Sequence, residues 1–110
     1  MTAYNFVVLS NPVAGKDAEY NDWYTNTHLG DVLRVKGFTG ARRYKLDEGA
    51  ESTHAYMALY EMETDDPQKV IADMMAKAGT PELMISPAID IEGVSTVLYK
   101  AITPHVPAPR

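Results

Sequence analysis

The residues best suited to chemistry in this chain are an imidazole, a carboxylate, a hydroxyl and three aromatic rings that recur at spacings of three and four. They are Tyr20, Trp23, Tyr24, Thr27, His28 and Asp31. On an α-helix this spacing places all of them along one face. Polar groups that face a core must be hydrogen-bonded or must line a cavity. The pattern therefore predicts a helix whose inner face forms the wall of a binding pocket.

His28 is the first candidate for proton transfer, because an imidazole with its ordinary pKa of about 6.5 gains and loses protons near neutral pH. Asp31 follows three residues later and would fix the tautomer and orientation of the ring, as the third member of a catalytic triad does. Each residue also has an alternative role. In the alternative for His28, it is a structural residue bonded to a threonine or to the backbone. In the alternative for Asp31, it is paired with Arg34 or solvated.

The aromatic side chains of Tyr20, Trp23 and Tyr24 are predicted to stack on a flat conjugated ligand, with a phenol donating a hydrogen bond to a developing enolate oxygen. Tyr24, one turn before His28, is the first choice for that phenol. Thr27 is assigned to substrate binding with them. The alternative is aromatic packing in the core with the polar tips at the surface.

Two adjacent arginines in the second predicted strand must point to opposite faces, because side chains alternate along a strand. Alternation groups Arg42 with Tyr44, so both are predicted to face the pocket, where Arg42 would clamp a carboxylate group. Arg43 would then face the other side. A surface ion pair is the alternative for either arginine.

Three residues of the third predicted strand share one face and are predicted to add pocket contacts: His54, Tyr56 and Tyr60. His54 lies near the start of the strand, where side chains are more often exposed. His105 lies in a proline-rich tail and is assigned no chemistry.

The elements that must position these residues alternate between strand and helix. Strands are predicted at 4–10, 38–46, 53–62 and 90–101, and helices at 17–35 and 65–78. The order β-α-β-β-α-β predicts a ferredoxin-like α+β domain over 1–102, with two helices on one face of a four-stranded antiparallel sheet. Residues 103–110, which hold three prolines, are predicted to form an extended tail.

The strands carry apolar residues at both alternating sets of positions, such as Val7 and Leu9 against Phe6 and Val8. A sheet that is apolar on both faces is usually buried on both. Because two helices cover only one face, the pattern predicts a homodimer in which sheet packs on sheet to form an α/β barrel.

Composition excludes several classes of function. The chain has 110 residues, a net charge of −5 and no cysteine, so one domain is expected and nucleic acid is not an expected partner. No thiolate nucleophile is available, and no third ligand accompanies His28 and Asp31 to form a metal site. We find no phosphate-binding loop, dinucleotide fingerprint, signal peptide or membrane-spanning run. We therefore expect a cytoplasmic protein without metal, cofactor or membrane contact.

The stretch Asp22–His28 (DWYTNTH), followed by Val35–Phe38 (VKGF) and Arg42–Tyr44 (RRY), resembles the EthD-like branch of the dimeric α/β-barrel superfamily. The order of elements resembles that superfamily over nearly the whole chain. The resemblance implies a ligand between the first helix and the sheet, in contact with His28. It also implies a range of activities, since similar proteins include cofactor-free monooxygenases, polyketide cyclases and isomerases, and some bind haem.

These residues together predict a cofactor-independent isomerase of a small conjugated carboxylate from aromatic ring-cleavage catabolism. His28 would move a proton, a tyrosine would stabilise the dienolate, and Arg42 would hold the carboxylate. The alternatives are a cofactor-free monooxygenase or cyclase on a phenolic substrate, a ligand-binding dimer without turnover, and a haem protein.

Overall fold

The computed structural model describes the whole chain, from Met1 to Arg110. The strands are β1 (Thr2–Ser10), β2 (Phe38–Lys45), β3 (Tyr56–Thr64) and β4 (Ser95–Lys100). The helices are α1 (Asp17–Trp23), α2 (Leu29–Leu33) and α3 (Pro67–Lys77), with a π-helical segment (Tyr24–His28) joining α1 to α2 and a 3₁₀ turn (Ile91–Gly93) before β4. Residues 101–110 have no regular secondary structure and are exposed.

The four strands form one antiparallel sheet in the order β2-β3-β1-β4. The helices pack on one face of it, where Phe6, Ala58, Tyr60 and Met62 of the sheet are buried in one core cluster with residues of the helices. This strand order and layering are the ferredoxin-like α+β fold. The predicted fold class is confirmed.

α3 begins where the sequence predicts a cap. The Asp66 side chain accepts a hydrogen bond of 3.2 Å from the backbone N–H of Lys69, and Pro67 opens the helix. The Asp66 side chain thus satisfies one backbone N–H of the first turn, and Pro67 has no backbone N–H that needs a partner. Val70 and Met74 are buried, so the helix presents the predicted apolar stripe to the core.

Gly37 ends the first helical region and allows the chain to turn close to α3. Its φ is +114°, and a Cβ at this position would lie 2.5 Å from Cγ2 of Val70. Glycine satisfies both the positive φ and the close approach, and a residue with a side chain satisfies neither.

The first helix is not the uninterrupted α-helix that its spacing predicts. It widens into the π-helical segment, which is closed by a hydrogen bond from the backbone N–H of Leu29 to the carbonyl oxygen of Tyr24. This turn holds one residue more than an α-turn, so spacings of three and four no longer define one face. Thr27 is exposed, whereas Trp23 stacks on His28, with ring centroids 4.5 Å apart.

A β-bulge at the start of β2 reverses the alternation on which the arginine prediction depends. Phe38 pairs with Met62, and Gly40 pairs with Glu61. Two residues of β2 therefore advance against one residue of β3. Beyond the bulge, each β2 side chain points to the face opposite the expected one.

The orientation predicted for Arg42 and Tyr44 is therefore wrong. Both residues are exposed, and they lie on the sheet face away from the helices. Arg43 is half-buried and reaches the first helix, where it donates a hydrogen bond to Thr25. Its partner across the strands is the small, buried Ala58, which leaves room for the long side chain.

The face of the sheet away from the helices is covered by no element of this chain. Its pairing rows bring together Val7, Leu9, Met57, Leu59, Val97 and Tyr99. Val97 and Tyr99 are exposed, and the other four are half-buried by their neighbours. The sheet is thus apolar on both faces, as the sequence predicts.

Candidate functional site

A cavity of about 700 Å³ lies between the helices and the sheet. Seventeen of the twenty residues that line it are hydrophobic, and none is an acid, a lysine or an arginine. The three lining residues that are not hydrophobic are His28, Gln68 and Thr96, and Tyr24 and Tyr60 are also part of the lining. Cavities of this size, largely apolar and with a few polar groups, are typical of small-molecule sites.

His28 contributes a neutral imidazole to the cavity wall. Its ring stacks on Trp23 and meets the edge of the Tyr24 ring, with centroids 5.0 Å apart. Burial lowers the pKa of His28 from 6.5 to about 4, an effect that the charge of Asp31 opposes and that of Arg43 reinforces. Nδ1 of His28 is buried and has no hydrogen-bond partner.

Asp31 does not orient this imidazole through a hydrogen bond. Its Oδ1 accepts from Nη1 of Arg34 at 2.5 Å instead. The pair with Arg34, which the sequence leaves open as an alternative, is the arrangement that the structure contains. Asp31 therefore affects His28 through its charge and not as a contacting triad member.

Tyr24 and Tyr60 form the second polar part of the wall, from the π-helical segment and from β3. Burial raises the pKa of the Tyr24 phenol from 10.0 to about 12. Burial also raises the pKa of Tyr60, and the neighbouring Tyr24 adds to the effect. The Tyr60 hydroxyl is buried and has no hydrogen-bond partner of good geometry, although it interacts with the Tyr24 hydroxyl. Both phenols stay protonated at neutral pH.

Tyr20 and Tyr56 lie behind this wall and do not line the cavity. The Tyr20 hydroxyl is 2.6 Å from Oγ of Ser10, and Nδ2 of Asn21 donates to the Tyr56 hydroxyl at 3.1 Å. Burial raises the pKa of Tyr20, with smaller opposing effects from Ser10 and Arg43. These two tyrosines are satisfied within the chain and support the site from outside it.

The structure brings together only part of the predicted set. Trp23, Tyr24, His28 and Tyr60 line the cavity; Tyr20, Thr27, Asp31, Arg42, Tyr44 and Tyr56 do not. His54 also lies elsewhere, with Nε2 at 2.7 Å from the carbonyl oxygen of Gly93.

The apolar half of the cavity was not predicted. It is formed by α3 and the segment before β4, through Ile71, Met74, Leu83, Ile85, Ile89 and Val94. The α3 residues carry a stripe that predicts core packing, and the segment after α3 has no periodicity that marks it as a wall. One link between the two halves is direct: Nε1 of Trp23 donates to the carbonyl oxygen of Met84 at 3.1 Å.

The structure contains no group of three or more His, Cys, Asp or Glu side chains arranged to hold a metal ion. None of its helices has the length and apolar character that a transmembrane span requires.

The fold is shared by solved structures of a dimeric ferredoxin-like protein and of an EthD-family protein. No protein-family model and no curated protein matches the sequence.

Three solved structures illustrate the likeness. The haem degrader MhuD from Mycobacterium tuberculosis, with two haems in its active site, matches with a TM-score of 0.64 and 18% identity over 94% of this chain and 99% of that one. A variant of SnoaB from Streptomyces nogalater, a cofactor-independent oxygenase, matches with a TM-score of 0.56 and 16% identity over 93% of this chain and 95% of that one. An EthD-family protein from Bacillus halodurans matches with a TM-score of 0.53 and 14% identity over 93% of this chain and 100% of that one. At these identities the likeness establishes the fold.

Proposed function

We propose that this chain is a cofactor-independent oxygenase that removes a proton from a flat, mainly apolar phenolic or quinol-type substrate. The observation that carries the proposal is that the neutral His28 and the protonated Tyr60 line one largely apolar cavity. The same cavity thus holds a proton acceptor and a candidate oxyanion donor.

The chemistry begins with transfer of a substrate proton to His28. A buried imidazole of low pKa is a weak base when the site is empty, but an anion formed beside it favours its protonated form. The Tyr60 hydroxyl donates a hydrogen bond to the substrate oxygen on which the negative charge develops. The carbanion then gives its electrons to dioxygen. In total, R₂CH₂ + O₂ becomes R₂C=O + H₂O, so one oxygen atom enters the substrate and the other leaves as water.

The charge of the cavity favours this reaction over the isomerisation of a carboxylate. An anionic substrate needs a cation in the wall, and neither lysine nor arginine lines the cavity. Arg42, expected to supply that cation, is exposed. SnoaB, which shares the fold, is a cofactor-independent oxygenase, and this supports the oxygenase proposal. In the isomerase alternative, His28 returns the proton to another carbon and no oxygen is consumed.

Haem binding is the second candidate, and the neutral imidazole of His28 in the cavity wall favours it. Neutral imidazole is the form that ligates iron, and MhuD, with the same fold, carries haems. In this case His28 would hold the iron, and the group would supply the oxygen chemistry. A Soret shift on titrating haemin into wild-type protein, absent in His28→Ala, would support this candidate.

The oxygenase is tested with an oxygen electrode and a panel of anthrones and quinols, beside conjugated oxo-dienoates. Wild type should consume one O₂ per ketone formed, and His28→Ala should lose at least about 10²-fold in kcat/KM. His105→Gln, in the exposed tail, is the control and should match wild type. An absorbance change of the oxo-dienoates without oxygen uptake would replace the oxygenase with the isomerase. Turnover unaffected in His28→Ala would remove His28 from the mechanism.

A further inference from the structure

Arg43 occupies a cage of three tyrosine rings behind the cavity wall. Its guanidinium carbon lies 4.5 Å from the ring centroid of Tyr24, and 5.4 Å from those of Tyr20 and Tyr56. These distances are within the range of cation–π attraction. The cage contains Tyr24, whose ring also meets the His28 ring edge-on, with centroids 5.0 Å apart.

The guanidinium also binds the first helix on both sides of Tyr24. Nη1 donates to Oγ1 of Thr25 at 2.8 Å, and Nη2 donates to Oδ1 of Asn21 at 2.9 Å. One planar group from β2 thus holds the residue next to Tyr24 and a residue one turn before it. A lysine ammonium cannot reproduce this two-pronged geometry.

No carboxylate neutralises the charge of Arg43. It forms no salt bridge, its hydrogen-bond acceptors are uncharged, and its Nε is buried without a partner. The nearest acid to His28, Asp31, is already paired with Arg34. An unneutralised cation therefore stands behind the phenol wall of the cavity.

We propose that Arg43 is a positioning residue of the site: it fixes the Tyr24 ring against His28, and its unpaired positive charge favours an anion formed in the cavity. It acts through Tyr24 and does not touch the ligand, since it is absent from the cavity lining. This inference rests on the proposed function where it concerns the anion. Where it concerns His28 it does not, because the charge acts on an empty site too.

The charged and titratable groups facing His28 are Asp31 from its own helix, Arg43 from β2, and the phenols of Tyr24 and Tyr60. Arg43 is the cation among them, and a cation opposes protonation of the imidazole. Its removal should therefore raise the pKa of His28. Arg43→Lys retains the charge and should leave that pKa nearly unchanged, although the paired hydrogen bonds to Asn21 and Thr25 are lost.

The test compares wild type, Arg43→Met and Arg43→Lys by NMR titration of His28 in the ligand-free protein. We expect Arg43→Met to raise the pKa of His28 by roughly half a unit or more. The matched control is Arg42→Met, one residue away on the opposite face of the sheet. This variant should leave the pKa of His28 unchanged. Should Arg43→Met fail to fold, Thr25→Val keeps the charge, removes one prong, and is read by the second measurement. An unchanged His28 titration in folded Arg43→Met would overturn the inference.

The second measurement is the affinity for two probes, 4-nitrophenolate and the neutral 4-nitroanisole. Arg43→Met should weaken phenolate binding about fivefold or more and leave the neutral probe unchanged. Thr25→Val and Arg43→Lys should weaken both probes modestly, because the ring is loosened and the charge remains. Equal loss of both probes in Arg43→Met would mean a purely structural role. If oxygen uptake fails but the His28 titration behaves as expected, the proposed reaction is wrong and the role of Arg43 stands.

Discussion

At the scale of single residues, the cavity contains polar groups that make no hydrogen bond of good geometry within the chain. The Tyr60 hydroxyl and Nδ1 of His28 are both buried without hydrogen-bond partners. Such groups are rare in folded proteins and destabilise them. Tyr20, by contrast, has its hydroxyl satisfied by Ser10. The difference separates a tyrosine whose hydroxyl is satisfied within the fold from one whose hydroxyl is not.

Tyr60→Phe is expected to keep or raise the free energy of unfolding, by up to about 1 kcal/mol, because it removes an unpaired buried hydroxyl. Its kcat/KM should fall about 10²-fold, the usual effect of losing one oxyanion donor. The matched control is Tyr20→Phe, which should lose about 1 kcal/mol of stability and keep its activity. Urea unfolding and oxygen uptake measure both effects. Full activity in Tyr60→Phe would contradict this role.

The low pKa of His28 makes stability depend on pH. Between 6.5 and about 4 the unfolded chain binds a proton at His28 that the folded chain does not bind. The free energy of unfolding should therefore fall as the pH falls through this window, by up to about 3 kcal/mol. The free energy of unfolding of His28→Gln should fall less over this window, and that of His105→Gln should fall as much as in wild type. Urea titrations at several pH values check this, and identical slopes in wild type and His28→Gln would refute it.

At the scale of elements, irregularities position the site more than the regular helices and strands do. The wide turn brings His28 onto Trp23, and the bulge at Gly40 turns Arg43 toward the helices. Gly37 lets the connection to β2 pass close to Val70 of α3. Each irregularity adjusts the direction of a neighbouring side chain, as bulges and π-turns at functional sites commonly do.

Gly37→Ala should destabilise the protein by about 2 kcal/mol, because the new Cβ would collide with Val70 and a positive φ strains any residue with a side chain. Gly30→Ala is the matched control within the same helical region. A Cβ there meets no atom within 4 Å, so the better helix former should add up to about 1 kcal/mol. Thermal unfolding of both variants measures the contrast. Equal effects at the two positions would contradict the close approach of Gly37 to α3.

At the scale of the whole molecule, the uncovered sheet face is the main unsatisfied surface. Val7 and Leu59 face each other across β1 and β3, and Val97 joins them from β4. Contiguous apolar surface of this kind usually marks an interaction site. A homodimer stays our prediction, with the two sheets packed face to face.

Sedimentation at micromolar concentration should give twice the 12.2 kDa mass of one chain. Val7→Asp should shift the equilibrium to monomer, because its cross-strand neighbours Leu59 and Val97 are apolar and an interface would bury an unpaired charge. Ala72→Asp, on the exposed side of α3, is the control and should leave the dimer intact. A wild-type protein that stays monomeric at these concentrations would refute the prediction.

The fold could be predicted from the sequence because its signals are local. The short apolar run of β1, the Asp66-Pro67 helix start and Gly37 each specify an element from a few neighbouring residues. The face of Arg43 could not be predicted, since one added residue at the bulge reverses every later side chain. Thr27 was misplaced for the same reason in the wide turn. The spacing of residues predicts which side chains share a face only up to the first irregularity in a helix or strand.

Only one wall of the cavity could be predicted from the sequence. Trp23, Tyr24 and His28 stand out because aromatic and polar types are unusual on a core face. The opposite wall, with Met74 and Leu83, consists of ordinary core residue types. Whether such residues fill space or enclose it depends on how far apart their elements pack, which is a tertiary property.

The wide turn between Tyr24 and His28 also matters for comparison of this chain with other proteins of the fold. A π-turn inside an α-helix holds one additional residue. A superposition on a first helix that is α-helical throughout therefore needs a one-residue gap in this turn. Without the gap, His28 would be equated with a residue on another face. The additional residue, and not the histidine alone, gives the stacked Trp23–His28 pair.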